Sequence, residues 1–117
     1  MKVLQERKIP TPCVSNHASN LMELGSGDLL CAWFGGSMEG SSDISIHMAR
    51  YDRSRDVWLD PVRMSDDATR SEQNPALFRH PSGELWLLYT AQEKADQGTA
   101  VVRLRRSADE GRTWSET

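Results

Sequence analysis

Cysteine is scarce in this chain: two in 117 residues, Cys13 and Cys31, 18 positions apart and outside any CxxC. That pattern fits neither a disulfide framework nor a zinc knuckle. No apolar run approaches the ~20 residues that would cross a bilayer as a helix. The opening MKVLQERKIP turns polar at once and lacks the ~7–15-residue apolar core of a secretory signal. Charge of one sign is not in excess, with 14 basic against 17 acidic side chains, and a net charge of −3 offers no basic face for nucleic acid. Aromatic residues make up only 7%, yet 38% hydrophobic residues is too apolar for a disordered tail. His17, His47 and His80 share no metal-ligand spacing. Gly25-Ser26-Gly27 and Gly35-Gly36 are not followed by helical patterns, so no phosphate loop is implied. Nothing singles out a serine, cysteine or lysine nucleophile. The expectation is one soluble, cytoplasmic domain with no metal, no cofactor, and neither a nucleic-acid nor a membrane partner.

What the chain does contain is a repeat. Sliding it against itself by 56 positions aligns Leu21 with Leu77, Ser26 with Ser82, Gly27 with Gly83, Leu29 with Leu85, Arg50 with Arg106 and Trp58 with Trp114. These identities need no gap, and they fall on structural punctuation. Within the first unit, Ser19–Leu24 runs into the turn Gly25-Ser26-Gly27. Asp28–Gly35 follows, and then Ile44–Tyr51, which alternates Ile44, Ile46 and Met48 against Ser45, His47 and Ala49. Such alternation predicts half-buried strands. Trp58–Met64 reads as a fourth, outer strand, where Pro61 is tolerable because an edge need not donate every ladder bond. The second unit repeats the plan with Gln73–Phe78, the turn Pro81-Ser82-Gly83, Glu84–Ala91 and Thr99–Ser107. No stretch holds a capped 3.6-residue period, so the chain reads as all-β.

Four strands in a unit of roughly fifty residues is the pattern of a propeller blade. The boundaries read as one antiparallel blade at about 16–64 and a second at about 70–117. Propellers have about 4–8 blades, and two alone would leave two apolar faces wet. Either further blades follow in a longer parent, or the chain closes a ring as a homo-oligomer, three copies making six blades.

Ser107-Ala108-Asp109-Glu110-Gly111-Arg112-Thr113-Trp114 matches Ser-x-Asp-x-Gly-x-Thr-Trp at every fixed position. This is the Asp-box, and with it the chain resembles the sialidase (neuraminidase) superfamily of six-bladed, BNR-repeat β-propellers. In it an Asp accepts neighbouring backbone N–H groups, a Gly takes the left-handed position and a Trp packs into the blade. Tyr51–Trp58 is a degenerate copy that keeps only the Trp. The motif supports a fold and says little about chemistry, because non-hydrolytic propellers carry it too.

The resemblance continues upstream, through NLMELGSGDLLCAWFGG. In sialidases the first inner strand opens with Phe/Tyr-Arg-Ile-Pro, whose Arg grips the substrate carboxylate. Here the corresponding stretch is Asn16-His17-Ala18-Ser19, and His17 stands in the place of that Arg. A neutral imidazole cannot fork onto a carboxylate as a guanidinium does, so the implied sugar need not be sialic acid. The family's acid/base carboxylate sits between the second and third strands of the first blade, which points to Glu39 in GGSMEGSSD. Asp43, in the same loop, reads as a turn-forming carboxylate. Arg70-Ser71-Glu72-Gln73-Asn74-Pro75 resembles the Asn-Pro segment that lines the pocket from the second blade.

The resemblance therefore implies an exo-glycosidase on a terminal sugar of a glycan, with Glu39 protonating the leaving oxygen and His17, Arg70, Gln73 and Asn74 orienting the sugar. The family's Tyr nucleophile and remaining arginines belong to later blades. Each residue also has a plainer reading: Glu39 as a solvated loop acid, His17 as a satisfied histidine, and Arg70, Gln73 and Asn74 as strand-entry turn formers. Trp33, Trp86 and Tyr89 read as core, and Arg103, Arg105 and Arg106 as a solvated or inter-blade face. The rivals to an enzyme are a non-catalytic glycan- or protein-binding propeller module and an inactive fragment stable only as an oligomer.

Overall fold

Alternating apolar runs punctuated by glycine turns fold into strands alone in the computed structural model, which describes residues 2–117. Eight strands are present: β1 (Ser15–Glu23), β2 (Leu29–Gly36), β3 (Ser45–Asp52), β4 (Val57–Trp58), β5 (Val62–Arg63), β6 (Ser71–Arg79), β7 (Leu85–Glu93) and β8 (Asp96–Ser107). They form two antiparallel sheets. In the first the order is β1-β2-β3-β4, with β5 also on β3; in the second it is β6-β7-β8. No helix occurs among the described residues.

The outer strand expected over Trp58–Met64 is broken in two. β4 pairs with Tyr51 and Asp52, and β5 with His47 and Met48, on either side of Pro61, which cannot donate to the ladder. The second sheet has three strands, not four. Its outer pairing begins where Ser115 N–H bonds the Arg106 carbonyl at 2.8 Å, as Leu59 N–H bonds the Arg50 carbonyl in the first sheet.

The repeat holds at the level of hydrogen bonds. Leu24 N–H donates to the Asp28 carbonyl and Gly27 N–H to that of Leu24; His80, Glu84 and Gly83 reproduce both bonds at 2.8 Å. Gly27 and Gly83 sit at φ 89° and 97°, a region glycine enters without a steric penalty. Even the irregularities coincide. β1 slips register between His17 and Asn20, β6 slips between Gln73 and Ala76, and Ala18 and Asn74 both lie at φ 52°.

The Asp-box turn is a closed hydrogen-bond set. Asp109 accepts from Thr113 N–H (2.8 Å), from the Thr113 hydroxyl and from Ser107 Oγ (2.8 Å), and Gly111 N–H bonds Ser107 Oγ at 2.9 Å. The Thr113 hydroxyl and N–H and the Ser107 hydroxyl hold the Asp109 carboxyl at about 2. Trp114 donates to the Gly111 carbonyl and packs on the core. In the degenerate copy Asp52 takes over. It accepts from Ser54 and Arg55, and the Arg55 guanidinium and Ser54 hydroxyl keep its carboxyl at about 2.

One apolar layer joins the sheets. Leu30, Ala32 and Phe34 of β2 and Ile46 and Met48 of β3 face Leu85, Leu87 and Tyr89 of β7, with Leu24, Ile44 and Met64 completing the layer. Alternation dictates this: odd and even positions of a strand point to opposite faces. Among the described residues, polar ties between the two units include Leu77 N–H to Asn20 Oδ1, Glu72 N–H to the Ile44 carbonyl, Arg105 to the Met64 carbonyl and Arg50 to the Glu110 carbonyl. The other face of the first sheet carries Cys31, Trp33 and Ala49 under Ile9 and Trp58.

Candidate functional site

β1 and β6 begin, and β2 and β7 end, at one end of the paired sheets. Every residue the sequence nominated lies near that end. At a bulge the extra residue breaks the strict alternation and re-aims the side chains beside it. His17 precedes one bulge and Gln73 the other. A left-handed alanine at position 18 is sterically unfavourable, whereas asparagine at position 74 tolerates that conformation.

His17 is half-buried, stacks on Phe34 with ring centroids 5.1 Å apart, and shares a 2.8 Å hydrogen bond with Ser15 Oγ. It borders a groove with Arg7, Ile9, Asn16, Cys31 and Trp33. Gln73 is buried, and its amide donates to Ser71 Oγ at 2.8 Å. Asn74 is exposed. Arg70 reaches along the second sheet to the carbonyls of Ala91 (3.0 Å) and Thr99 (3.1 Å), with Glu93 3.7 Å away. It borders a second depression with Thr69, Lys94 and Asp96.

Glu39 is exposed in the β2–β3 loop. Asp43 closes that loop by accepting Ser37 N–H on both carboxylate oxygens at 3.2 Å. The Ser37 hydroxyl and N–H lower the Asp43 carboxyl below its ordinary value, which is the turn-forming role read from the sequence. The loop leans on the β7–β8 hairpin: a Cβ built on Gly40 would stand 3.1 Å from that of Ala95. The nominated residues share one end of the fold, but the described clefts do not gather Glu39 with His17, Arg70, Gln73 and Asn74.

Sequence reasoning passed over two groups. Glu72 is only 1% exposed; it accepts Asp67 N–H at 3.1 Å, and Arg103 approaches to 3.4 Å. Burial raises its carboxyl above the usual range, against the opposing pull of Ser65, Asp67 N–H and Arg103. Arg103 also holds Asp67 at 2.9 Å. The second is a thiol beside an imidazole, Cys13 Sγ 3.3 Å from His47 Nε2, which line a cleft with Gly35, Asp43 and Arg63. Alternation on β3 placed His47 opposite Met48 in facing, but no local signal could join it to a cysteine 34 residues earlier. No group of three or more His, Cys, Asp and Glu side chains able to hold a metal occurs among the described residues. Among the described residues no helix is long and apolar enough to cross a membrane.

Two antiparallel sheets in tandem, each built on the same strand plan and one closed by a complete Asp-box, define the class: the chain belongs to the BNR repeat-like domain family, whose model matches residues 27–117. That family is consistent with the sialidase-like superfamily. Among solved structures, the chain is similar to a crystal structure of a protein of unknown function from Dyadobacter fermentans, with a TM-score of 0.63 and 17% identity. The match covers 90% of this chain and 36% of that one, so the chain spans about a third of its structural relative. At that identity the likeness is one of fold. No curated protein matches the chain.

Proposed function

We propose that the chain forms two blades of a six-bladed, sialidase-like propeller and supplies part of a glycan-hydrolysing site. The observation that carries this reading is the position of Glu39. It stands on the loop between the second and third strands of the first sheet, at the end where both inner strands bulge beside His17 and Gln73. In this reading Glu39 protonates the glycosidic oxygen, His17 and Asn74 contact sugar hydroxyls, and Arg70 and Gln73 hold the rim. A tyrosine nucleophile from a later blade completes the chemistry.

The ring is supported by the face the second sheet leaves open. Trp86 and Leu88 occupy the repeat positions of Leu30 and Ala32, which the second sheet covers in the first. On that same open face Phe78 remains 46% exposed and Val102 72% exposed. The buried Trp86 Nε1 has no hydrogen-bond partner among the described residues. A third sheet, from further chain or from a second copy, would cover this face. Light scattering over a dilution series is expected to give a mass that rises above the 13.2 kDa of one chain. A well-folded monomer at every concentration would overturn the need for another blade.

Catalysis is tested on the protein that carries this chain together with its further blades, using a panel of aryl glycosides that includes a sialoside. Glu39→Gln is expected to lower kcat/KM by ~10²–10⁴-fold, the usual contribution of a general acid. Equal rates in the variant would remove Glu39 from the mechanism. One observation favours the second reading, a glycan-binding module without hydrolysis. Glu39 is exposed in this chain and shares no described cleft with His17, Arg70, Gln73 and Asn74. Glycan binding unaffected by Glu39→Gln, with no hydrolysis by the parent, would establish that alternative.

A further inference from the structure

Residues 11–14 lie over the outer face of the first sheet and run into β1, pinned there by side chains. Cys13 N–H donates to Thr11 Oγ1 (3.2 Å), Thr11 to Asn16 Oδ1 (2.8 Å), and the Asn16 amide back to the Cys13 carbonyl (3.0 Å). Trp33 Nε1 adds a 3.1 Å bond to Asn16 Oδ1. This closed set holds the half-buried Cys13 thiol against His47.

His47 is 7% exposed and stacks on Trp33 with centroids 6.0 Å apart. Burial and the nearby Arg63 charge lower its pKa, outweighing a hydrogen bond to the Gly35 main chain. What carries its role is geometry: Nε2 faces the Cys13 thiol at 3.3 Å. Arg63, on β5, is exposed and supplies a permanent positive charge beside the cleft. The remaining charged group there, Asp43 of the β2–β3 loop, is occupied by the Ser37 N–H. A base in contact with a partly accessible thiol, next to a cation, is the arrangement that makes a cysteine nucleophilic.

We propose that Cys13 and His47 form a reactive thiol–imidazole pair, a site of reversible S-thiolation by small anionic disulfides. His47 Nε2 takes the Cys13 proton, and the thiolate attacks one sulfur of the reagent. The reagent's S–S bond breaks as the new Sγ–S bond forms, so Cys13 is oxidised and the departing half leaves as a thiolate. That thiolate takes its proton from the imidazolium, which returns His47 to its neutral form. Cys31 is an internal control: it is 4% exposed, and burial pushes its thiol pKa up.

The test treats the folded chain with glutathione disulfide and follows intact and peptide masses. One adduct is expected, on Cys13, with Cys31 unmodified. His47→Gln should slow the reaction at pH 7 by ~10-fold or more, the scale of losing a positioned base. Modification of Cys31 would reveal an unfolded His47→Gln variant. Arg63→Gln, at an exposed position, then carries the test, and its preference for glutathione disulfide over neutral hydroxyethyl disulfide should fall. A folded His47→Gln that reacts at the wild-type rate overturns the proposal. So does a Cys13 that reacts no faster than an unstructured peptide thiol, or an Arg63→Gln with unchanged preference.

Discussion

Arg103→Ala is expected to lower the stability of the fold by about 3–5 kcal/mol, the usual cost of stripping one partner from a buried ion pair. The guanidinium lies between two carboxylates, 2.9 Å from Asp67 and 3.4 Å from Glu72. Glu72 cannot turn to solvent. Its side chain is 1% exposed, and its backbone N–H is tied to the Ile44 carbonyl across the sheet interface. Without Arg103 the carboxylate keeps the Asp67 N–H and the Ser65 hydroxyl but no counter-charge. The denaturant midpoint reads the loss. Adding Glu72→Gln should recover most of it, because the amide keeps a hydrogen-bonding shape and removes the charge. A loss below about 1 kcal/mol would mean that the pair is not buried as described.

The two carboxylates give this region opposite responses to pH. Burial raises the folded pKa of Glu72, so its contribution is greatest below the ordinary carboxylate range and is lost as pH rises through the folded value. The Thr69 hydroxyl and N–H, and then Arg103, hold Asp67 at about 2. Its contribution is present above the ordinary value and is lost as pH falls through about 2. In Arg103→Ala the Glu72 effect should dominate, so the variant's midpoint should approach the wild type's as pH is lowered from 7 toward 4. A gap that widens over that range would contradict this account.

Phe34→Ala is expected to cost a further class of stability, about 3–5 kcal/mol, through the cavity it leaves. Phe34 is 2% exposed and belongs to the layer between the sheets. Its ring also supports His17. Against the ~5–15 kcal/mol typical of a domain, that is a large share. Phe34→Leu, which keeps most of the apolar volume, should cost less and leave His17 supported. If Phe34→Ala unfolds at the wild-type denaturant midpoint, the two sheets do not share one core. If it is destabilised and also frees the His17 ring to reorient by NMR, packing and site are linked through this side chain.

Much of the architecture was legible because it is written in local pattern. Period-two alternation marked the strands, the Gly27 and Gly83 positions marked the hairpins, and the Asp-box marked the tight turn after β8. The offset between units survives in hydrogen bonds, in the left-handed glycines and in the paired bulges. The bulges themselves were not legible, since one extra residue in a strand has no signature apart from the partner it slips against. Pro61 was read as tolerable in one outer strand, and it divides that strand because the missing N–H falls between the two short pairings.

The candidate site was legible only as a set of residues near one end. The family resemblance nominated Glu39, His17, Gln73 and Asn74; strand pattern alone put Glu39 in its loop and Gln73 at a strand start but began the first inner strand at Ser19, where the structure begins it at Ser15. Sequence could not say that Arg70 would spend its guanidinium on the Ala91 and Thr99 carbonyls. Nor could it say that Glu72, in the middle of a polar run, would be the buried member. The sequence by itself determined an all-β, twofold-repeated BNR chain, since strand period, turn residues and the Asp-box act over a few neighbours. Only the tertiary structure decided that Glu72 meets Arg103 and that Cys13 meets His47, because burial and charge pairing depend on which faces of distant strands are pressed together.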